Sequence, residues 1–93
     1  MNYRRAFVVR YSAARGRKWN NTQIDALTSF IYNGGTGWLD EVTHNNTRTD
    51  EVIAQKMLEY NNADGKPSKG LTARRQAESA WFRRGMEENG VVS

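Results

Sequence analysis

The clearest hydrophobic pattern of the chain lies in its second quarter. Ile24, Leu27 and Ile31 recur at i, i+3 and i+7, which is one apolar stripe of helical period. Asn20 precedes the stripe, and Gln23 lies three residues after Asn20. An amide cap with a Gln three positions later resembles a capping box. The pattern therefore predicts an amphipathic helix that begins at residue 20 or 21.

Two shorter helices are predicted after this one. The paired glycines at 34 and 35 end the first helix, because glycine accepts the left-handed conformation that helix ends require. Thr36 is placed to cap the second helix, and Thr49 or Asp50 is placed to cap the third. The predicted apolar faces of these two helices comprise Trp38, Leu39, Val42, Val52, Ile53, Met57 and Tyr60.

A polar loop and a last helix complete the pattern. Residues 61–69 contain an Asp-Gly pair and the single proline, which predict a turn rather than a continuous helix. The last helix is predicted from about residue 71 to residue 84. Its predicted buried side comprises Ala77, Ala80 and Trp81, flanked by Leu71 and Phe82.

The predicted fold class is mainly α, a small irregular cluster of four to five helices. Residues 6–11 are apolar enough to suggest a short N-terminal strand. The predicted organisation is a basic N-terminal segment over 1–18, a helical lobe over 19–86 and a frayed tail over 87–93.

Composition narrows the chemistry that this chain can perform. Its 93 residues suit one domain, and 38% of them are hydrophobic. The absence of Cys excludes disulfides and thiolate metal sites. His44 is the only histidine and cannot build a zinc site unaided. We therefore expect neither a metal nor another cofactor.

The N-terminus is basic, but its apolar run covers only residues 6–9. A signal peptide needs an apolar core of about 7–15 residues, and a membrane-spanning helix needs about 20. The sequence therefore predicts synthesis in the cytoplasm without a signal peptide or a membrane span.

Charge is distributed unevenly along the chain. Residues 1–18 carry six basic side chains and no acidic one, whereas residues 19–65 carry two basic and seven acidic side chains. Residues 66–93 are again basic, with six positive and three negative side chains. Basic ends of this kind suit a nucleic acid, an anionic envelope polymer or the acidic middle of the same chain.

Two sequence blocks carry a family resemblance. Residues 22–37 match TQxDALxSFxYNxGxG, and Tyr60-Asn61 is followed at 69–82 by KGLTxRRxAExAxF. In this order, and with an amphipathic helix between them, the blocks resemble the C-terminal helical lobe of phage-type lysozymes, the endolysins of glycoside hydrolase family 24. The resemblance covers about residues 19–84. It implies a lobe that lies beside a smaller N-terminal lobe, with peptidoglycan in the cleft between them.

The resemblance also implies candidate substrate-binding residues, namely Asn33, Tyr60, Asn61 and Arg75. Each has a structural alternative. Asn33 also suits a helix end, and Tyr60 suits the core with its hydroxyl in water. Arg74 or Arg75 can form an ion pair with Glu78 at helical spacing.

The catalytic part of the family pattern has no counterpart in this chain. The family places a Glu at the end of its first helix, whereas the first acidic residue here is Asp25, inside the first block. No residue therefore inherits a catalytic role. The other carboxylates considered as a glycosidase acid are Asp40, Glu41, Asp50, Glu51, Glu59, Asp64 and Glu78. Several of them lie at helix starts, where the dipole favours the charged form, and Glu78 follows two arginines.

Three functions follow from these observations. The first is a peptidoglycan-directed lobe that is a truncated or non-catalytic relative of lysozymes and acts on the cell wall if released. The second is an active muramidase with a rearranged site, or one completed by self-association or by a partner lobe. The third, which the acidic middle disfavours, is a basic nucleic-acid-binding helical domain. The sequence leaves open whether the chain is an enzyme.

Overall fold

The structure is a computed structural model that describes residues 3–63 and 65–90, except the side chains of residues 33, 34, 62, 63, 89 and 90. Within this part, the chain forms α1 (Tyr3–Ala14), α2 (Asn21–Gly34), α3 (Gly37–Thr43), α4 (Asp50–Met57), β1 (Asn62–Ala63), β2 (Lys66–Pro67) and α5 (Lys69–Gly90). The predicted small, mainly helical cluster is confirmed.

Helix α2 forms as its sequence pattern predicts. The Asn20 Oδ1 accepts a hydrogen bond from the Gln23 backbone N at 2.9 Å, and the Gln23 Oε1 accepts one from the Asn20 backbone N at 3.1 Å. These two bonds are the predicted capping box. At the other end, Gly35 has φ 90° and donates its N–H to the Ile31 carbonyl at 2.8 Å.

The core surrounds α2, which packs against α1, α3 and α5, while α4 packs against α3 and α5. The buried apolar residues are Val8, Tyr11, Trp19, Ile24, Ala26, Leu27, Phe30, Ile31, Leu39, Val42, Ile53, Ala54, Met57 and Phe82. They come from every helix, so the basic N-terminal segment shares one core with the lobe. No helix in the described part of the chain is long and apolar enough to cross a membrane.

Helix α1 replaces the short strand predicted for residues 6–11. Val8, Tyr11 and Ser12 are buried, and their spacing of i, i+3 and i+4 places them on one helical face. A lone strand would leave its backbone groups without partners, whereas a helix satisfies most of them internally. The consecutive valines favoured a strand locally, and packing against α2 overrides that preference.

The buried face of α5 differs from the predicted one. Ala77, Ala80 and Trp81 are exposed. The buried stripe instead comprises Arg75, Glu78, Ser79 and Phe82, which also follow a spacing of i, i+3, i+4 and i+7. The predicted face was wrong because it was chosen by apolar residues alone, whereas α5 buries an arginine and a glutamate that neutralise each other.

The remaining boundaries differ in detail. Thr49 caps α4 by accepting a hydrogen bond from the Val52 N–H, but Thr36 precedes α3 without a side-chain cap bond. The polar loop contains a two-stranded antiparallel hairpin. Helix α5 begins at Lys69 and continues to Gly90, so it includes the first four residues of the segment expected to fray.

Candidate substrate-binding site

Three aromatic rings from three parts of the chain meet beside the end of α2. Phe30 belongs to α2, Trp38 to α3, and Tyr60 follows α4. The ring centroids are 5.0 Å apart for Phe30–Tyr60, 4.8 Å for Trp38–Tyr60 and 5.3 Å for Phe30–Trp38. These separations and tilted or edge-on angles are favourable for aromatic pairs. We call these residues the ring cluster. Phe30 is fully buried, whereas Trp38 and Tyr60 are partly exposed.

Arg75 packs against the ring cluster from within the fold. Its guanidinium carbon lies 5.1 Å from the Phe30 ring centre and 5.6 Å from that of Trp38, which is cation–π distance. One guanidinium nitrogen, Nη1, donates to the Phe30 carbonyl at 3.1 Å. Only 1% of Arg75 is exposed, and burial lowers the pKa of its guanidinium while Glu78 opposes that shift. Arg75 therefore supports the rings from the buried side, and its role in substrate binding stays a prediction.

Glu78 is the carboxylate that neutralises Arg75. Its Oε1 lies 3.1 Å from Arg75 Nη1, and its Oε2 accepts a hydrogen bond from the Ser29 hydroxyl. Arg74 approaches the same carboxylate at 3.5 Å from the surface. The predicted structural alternative, an ion pair between Glu78 and the arginine pair, is what the structure contains.

Tyr60 joins the ring cluster to the neighbouring surface. Its hydroxyl donates a hydrogen bond to the Glu41 carboxylate at 3.2 Å. Burial, followed by the negative charge of Glu41, raises the pKa of Tyr60 from 10.0 to about 12. The phenol therefore stays protonated and keeps donating its hydrogen bond at neutral pH. Tyr60 thus combines a packed ring with a hydroxyl that bonds to Glu41, whereas the sequence had suggested a hydroxyl in water as the structural alternative. Its role in substrate binding stays a prediction.

Asn61 connects this region to the start of α5. Its side-chain amide donates to the Thr72 hydroxyl at 3.0 Å, and its carbonyl accepts from the Ser68 N–H at 2.9 Å. Asn33 lies in the last turn of α2, one helical turn after Phe30, but its side chain lies outside the described part of the structure. The fold thus brings Tyr60, Asn61 and Arg75 to one region and leaves the contribution of Asn33 a prediction.

Most of the described carboxylates form ion pairs or accept hydrogen bonds within the fold. Asp25 pairs with Arg5 at 2.8 Å, and Glu51 pairs with Arg83 at 2.6 Å. Asp50 accepts from Arg17 at 2.8 Å, from the Trp19 ring nitrogen at 3.0 Å and from Gln23 at 3.2 Å. Asp64 lies outside the described residues. These carboxylates therefore serve as hydrogen-bond and ion-pair partners within the fold.

The basic N-terminal segment is also paired internally. Arg5 meets Asp25 on α2, and Arg17 meets Asp50 on α4. Arg15 lies over the Tyr11 ring with its guanidinium carbon 3.8 Å from the ring centre. These contacts favour the interpretation in which the basic end meets the acidic middle of the same chain.

Sequence reasoning missed two members of this site. Glu41 lies 19 positions before Tyr60 and meets it only through the fold. Phe30 was visible as an apolar residue, but its role as the centre of the ring cluster depends on two other elements. In the described part of the chain, no group of three or more His, Cys, Asp or Glu side chains is arranged to hold a metal ion.

Comparison with known proteins decides the family. The family model for phage lysozyme matches residues 5–78, a range that begins in α1 and ends at Glu78 within α5. This chain belongs to the phage lysozyme family. The endolysin of Bacillus phage B103 is 37% identical over an alignment of 71 residues, and the match covers 73% of this chain and 27% of that protein. The lysozyme-family chain thus spans little more than a quarter of that relative's length. No solved structure matches it.

Proposed function

We propose that this phage lysozyme chain is a peptidoglycan-directed lobe that binds the glycan strands of the wall and does not by itself hydrolyse them. Membership of the family supports the choice of substrate. The ring cluster supplies the surface, since Trp38 and Tyr60 remain partly exposed. In this proposal the chain acts in host cell lysis, as the endolysins of glycoside hydrolase family 24 do.

The observation that carries the proposal is the combination of packed rings with polar edges. Ligand sites typically have aromatic walls with a few placed polar groups, and a tyrosine offers both an apolar face and a hydroxyl. Tyr60 supplies both here, and the Asn61 amide lies next to it in the chain. Arg75 and its carboxylate fix the rings from the buried side. Such fixation reduces the ordering cost of binding.

The arrangement of carboxylates supports binding without hydrolysis. Glycosidases use two carboxyl groups about 5–5.5 Å or about 6.5–9.5 Å apart across the scissile bond. One of the two must carry a proton, which apolar surroundings normally favour. Glu78, the buried carboxylate near the ring cluster, instead faces Arg75 at 3.1 Å and Arg74 at 3.5 Å. Its position suits an ion-pair partner and not an acid catalyst.

Co-sedimentation with insoluble peptidoglycan tests the binding. We expect the chain to sediment with the wall polymer and Tyr60→Ala to weaken this at least about tenfold, equivalent to about 1.4 kcal/mol. Tyr32→Ala is the matched control, because Tyr32 is 55% exposed and lies outside the ring cluster. Equal binding by both variants would remove the ring cluster from the proposal.

A turbidity assay on permeabilised Gram-negative cells tests the absence of hydrolysis. We expect no clearing by the purified chain. Clearing that is lost on substitution of one of its own carboxylates would instead establish the alternative, an active muramidase. Clearing that appears only at high protein concentration, or only with an added partner lobe, would indicate a site completed by another chain.

A further inference from the structure

The charges at the two ends of α5 run against the helix dipole. The helix begins at Lys69, and its last turn carries Glu87 and Glu88, with no acidic residue in the first turn and no basic residue in the last. A helix dipole favours acidic side chains at the start and basic ones at the end. Lys69 and Glu87 are exposed, and neither forms an ion pair with another described residue. Within one described chain, these two charges are therefore not compensated.

The same helix exposes an apolar face. Ala73, Ala77, Ala80 and Trp81 are exposed, and their spacing of i, i+4, i+7 and i+8 places them on one side of α5. Trp81 and Arg74 line a groove of about 390 Å³ between α1, α2 and α5. The small side chains beside Trp81 allow a second helix to approach to the separation of about 8–10 Å that packed helices have.

An antiparallel second copy of α5 complements both features. In a two-fold arrangement centred near Ala77, each position before the centre meets a position after the centre in the other copy. Arg74 lies three residues before Ala77 and Trp81 lies four residues after it, so the guanidinium of one copy meets the ring of the other in a cation–π contact. Lys69 lies eight residues before the centre and Glu87 ten residues after it. The difference of two residues is about 3 Å along a helix, which these long side chains can span.

We propose that the chain forms a two-fold symmetric dimer through the exposed face of α5, with the two helices antiparallel. The dimer pairs Lys69 of each copy with Glu87 of the other and covers both Trp81 rings. Antiparallel packing also places the opposite ends of the two helix dipoles side by side. No member of the ring cluster lines the groove, so the dimer leaves both ring clusters open to a ligand.

Sedimentation equilibrium of the purified full chain without any glycan tests the dimer independently of the proposed function. We expect the mass to rise from that of one chain to that of two between micromolar and millimolar concentration, because one pair of helices buries less than the standard interface of about 1,600 Å². Trp81→Ala should raise the dimer Kd at least about tenfold, equivalent to about 1.4 kcal/mol, since a tryptophan is a typical anchor of an interface. Leu58→Ala is the matched control, because Leu58 is 40% exposed, close to the 37% of Trp81, and lies at the end of α4.

Charge reversal tests the antiparallel arrangement. Lys69→Glu and Glu87→Lys should each weaken self-association about tenfold, equivalent to about 1.4 kcal/mol, because each brings like charges together twice in a symmetric dimer. A mixture of the two single variants should associate about as tightly as the unchanged chain, since every contact between positions 69 and 87 then joins opposite charges. Both substitutions agree with the helix dipole, so neither should lower the midpoint of thermal unfolding measured by circular dichroism.

Several results would overturn the inference. A chain that stays monomeric at millimolar concentration would exclude the dimer. An equal Kd for Trp81→Ala and Leu58→Ala would place the contact elsewhere. Unchanged association of the charge variants, or a mixture that associates no better than each variant alone, would exclude the antiparallel pairing. A monomeric chain that instead binds a separately expressed N-terminal lysozyme lobe, and loses that binding in Trp81→Ala, would assign the face to that lobe and not to a second copy.

Discussion

The two ends of α2 are held by polar networks that differ in completeness. At the start of the helix, Asp50 accepts three hydrogen bonds, from Arg17, Trp19 and Gln23. At the end of the helix, Arg75 meets the Phe30 carbonyl and Glu78, but its Nε and Nη2 have no hydrogen-bond partner among the described residues. Both carboxylate oxygens of Asp50 accept hydrogen bonds, whereas the second network leaves these two donors and the Glu78 Oε1 without a hydrogen bond among the described residues.

This difference separates a network whose polar atoms are paired from one in which some are not. A buried polar group without a partner costs about 1–3 kcal/mol, and the Asp50 network avoids that cost. The Arg75 network accepts it directly behind the ring cluster. We interpret the first as the joint that fastens α1 and α4 to α2, and the second as the support of the proposed binding surface.

The largest expected effect comes from breaking the buried pair. Arg75→Leu leaves the Glu78 carboxylate, which is 3% exposed, without its buried partner. Removing one member of a buried ion pair typically costs about 3–5 kcal/mol. We expect that loss in the free energy of unfolding, measured by urea denaturation followed by circular dichroism.

Two further variants sharpen the comparison. The double variant Arg75→Leu/Glu78→Leu should recover most of the loss, because replacing both charges by apolar groups is often nearly neutral. Asp50→Ala, at the other end, should cost only about 1–3 kcal/mol, since its side chain is 31% exposed. A larger loss for Asp50→Ala than for Arg75→Leu would contradict the higher cost expected for breaking the buried pair.

The second effect concerns the joint at the start of α2, where Gly85 of α5 approaches closely. A Cβ on Gly85 would lie 2.6 Å from the Gln23 Cγ and 2.9 Å from the Asn20 Oδ1. We expect Gly85→Ala to destabilise the fold by about 1–3 kcal/mol through overpacking and through displacement of the capping box. Thermal unfolding of the variant measures this.

Gly70→Ala is the matched control within the same helix. Its nearest neighbour would be the Ser68 Oγ at 3.9 Å, which is ordinary contact. Alanine is favoured over glycine in helices by about 1 kcal/mol at most, so we expect a small gain or no change. If both substitutions behave alike, the close approach of α5 to the capping box does not contribute to stability.

The sequence was a good guide where one local rule decides the structure. The start of α2 follows from Asn20 and Gln23 alone, and its end follows from the glycine pair. The hydrophobic stripe of Ile24, Leu27 and Ile31 was also sufficient to identify the central helix. The two family blocks identified the family, because they preserve residue types at defined spacings.

The sequence was a poor guide where distant residues decide. The pairing of Arg75 with Glu78 was visible at helical spacing, but its burial was not, because that depends on the distant rings of Phe30 and Trp38. The exposure of Trp81 was equally unpredictable, because this residue is large and apolar but 37% exposed. The contact between Tyr60 and Glu41 was also not predictable, since the two residues lie 19 positions apart.

The smallest expected effect is a loss of stability at alkaline pH. It compares one tyrosine from each of the two regions. Tyr60 lies in the ring cluster, and Tyr11 stacks on Trp19 beside the Asp50 network. Burial is the main cause of the raised pKa in both, and for Tyr60 the value reaches about 12. Unfolded tyrosines ionise near pH 10.

Between about pH 10 and pH 12 the unfolded state therefore binds fewer protons than the folded state, and the free energy of unfolding falls as pH rises. Below pH 10 these two phenols contribute no slope.

Urea denaturation repeated from pH 9 to pH 12 measures this slope, and absorbance at 295 nm follows the phenolates. We expect Tyr60→Phe to flatten the decline in the free energy of unfolding more than Tyr11→Phe does, because the pKa shift of Tyr60 is large. An unchanged slope in Tyr60→Phe would mean that the Tyr60 hydroxyl is solvated and does not hold its hydrogen bond to Glu41. In that case the link between the ring cluster and Glu41 would be lost, although the rings themselves would remain packed. The alkaline slope therefore tests the burial of the Tyr60 hydroxyl first and its contact with Glu41 second.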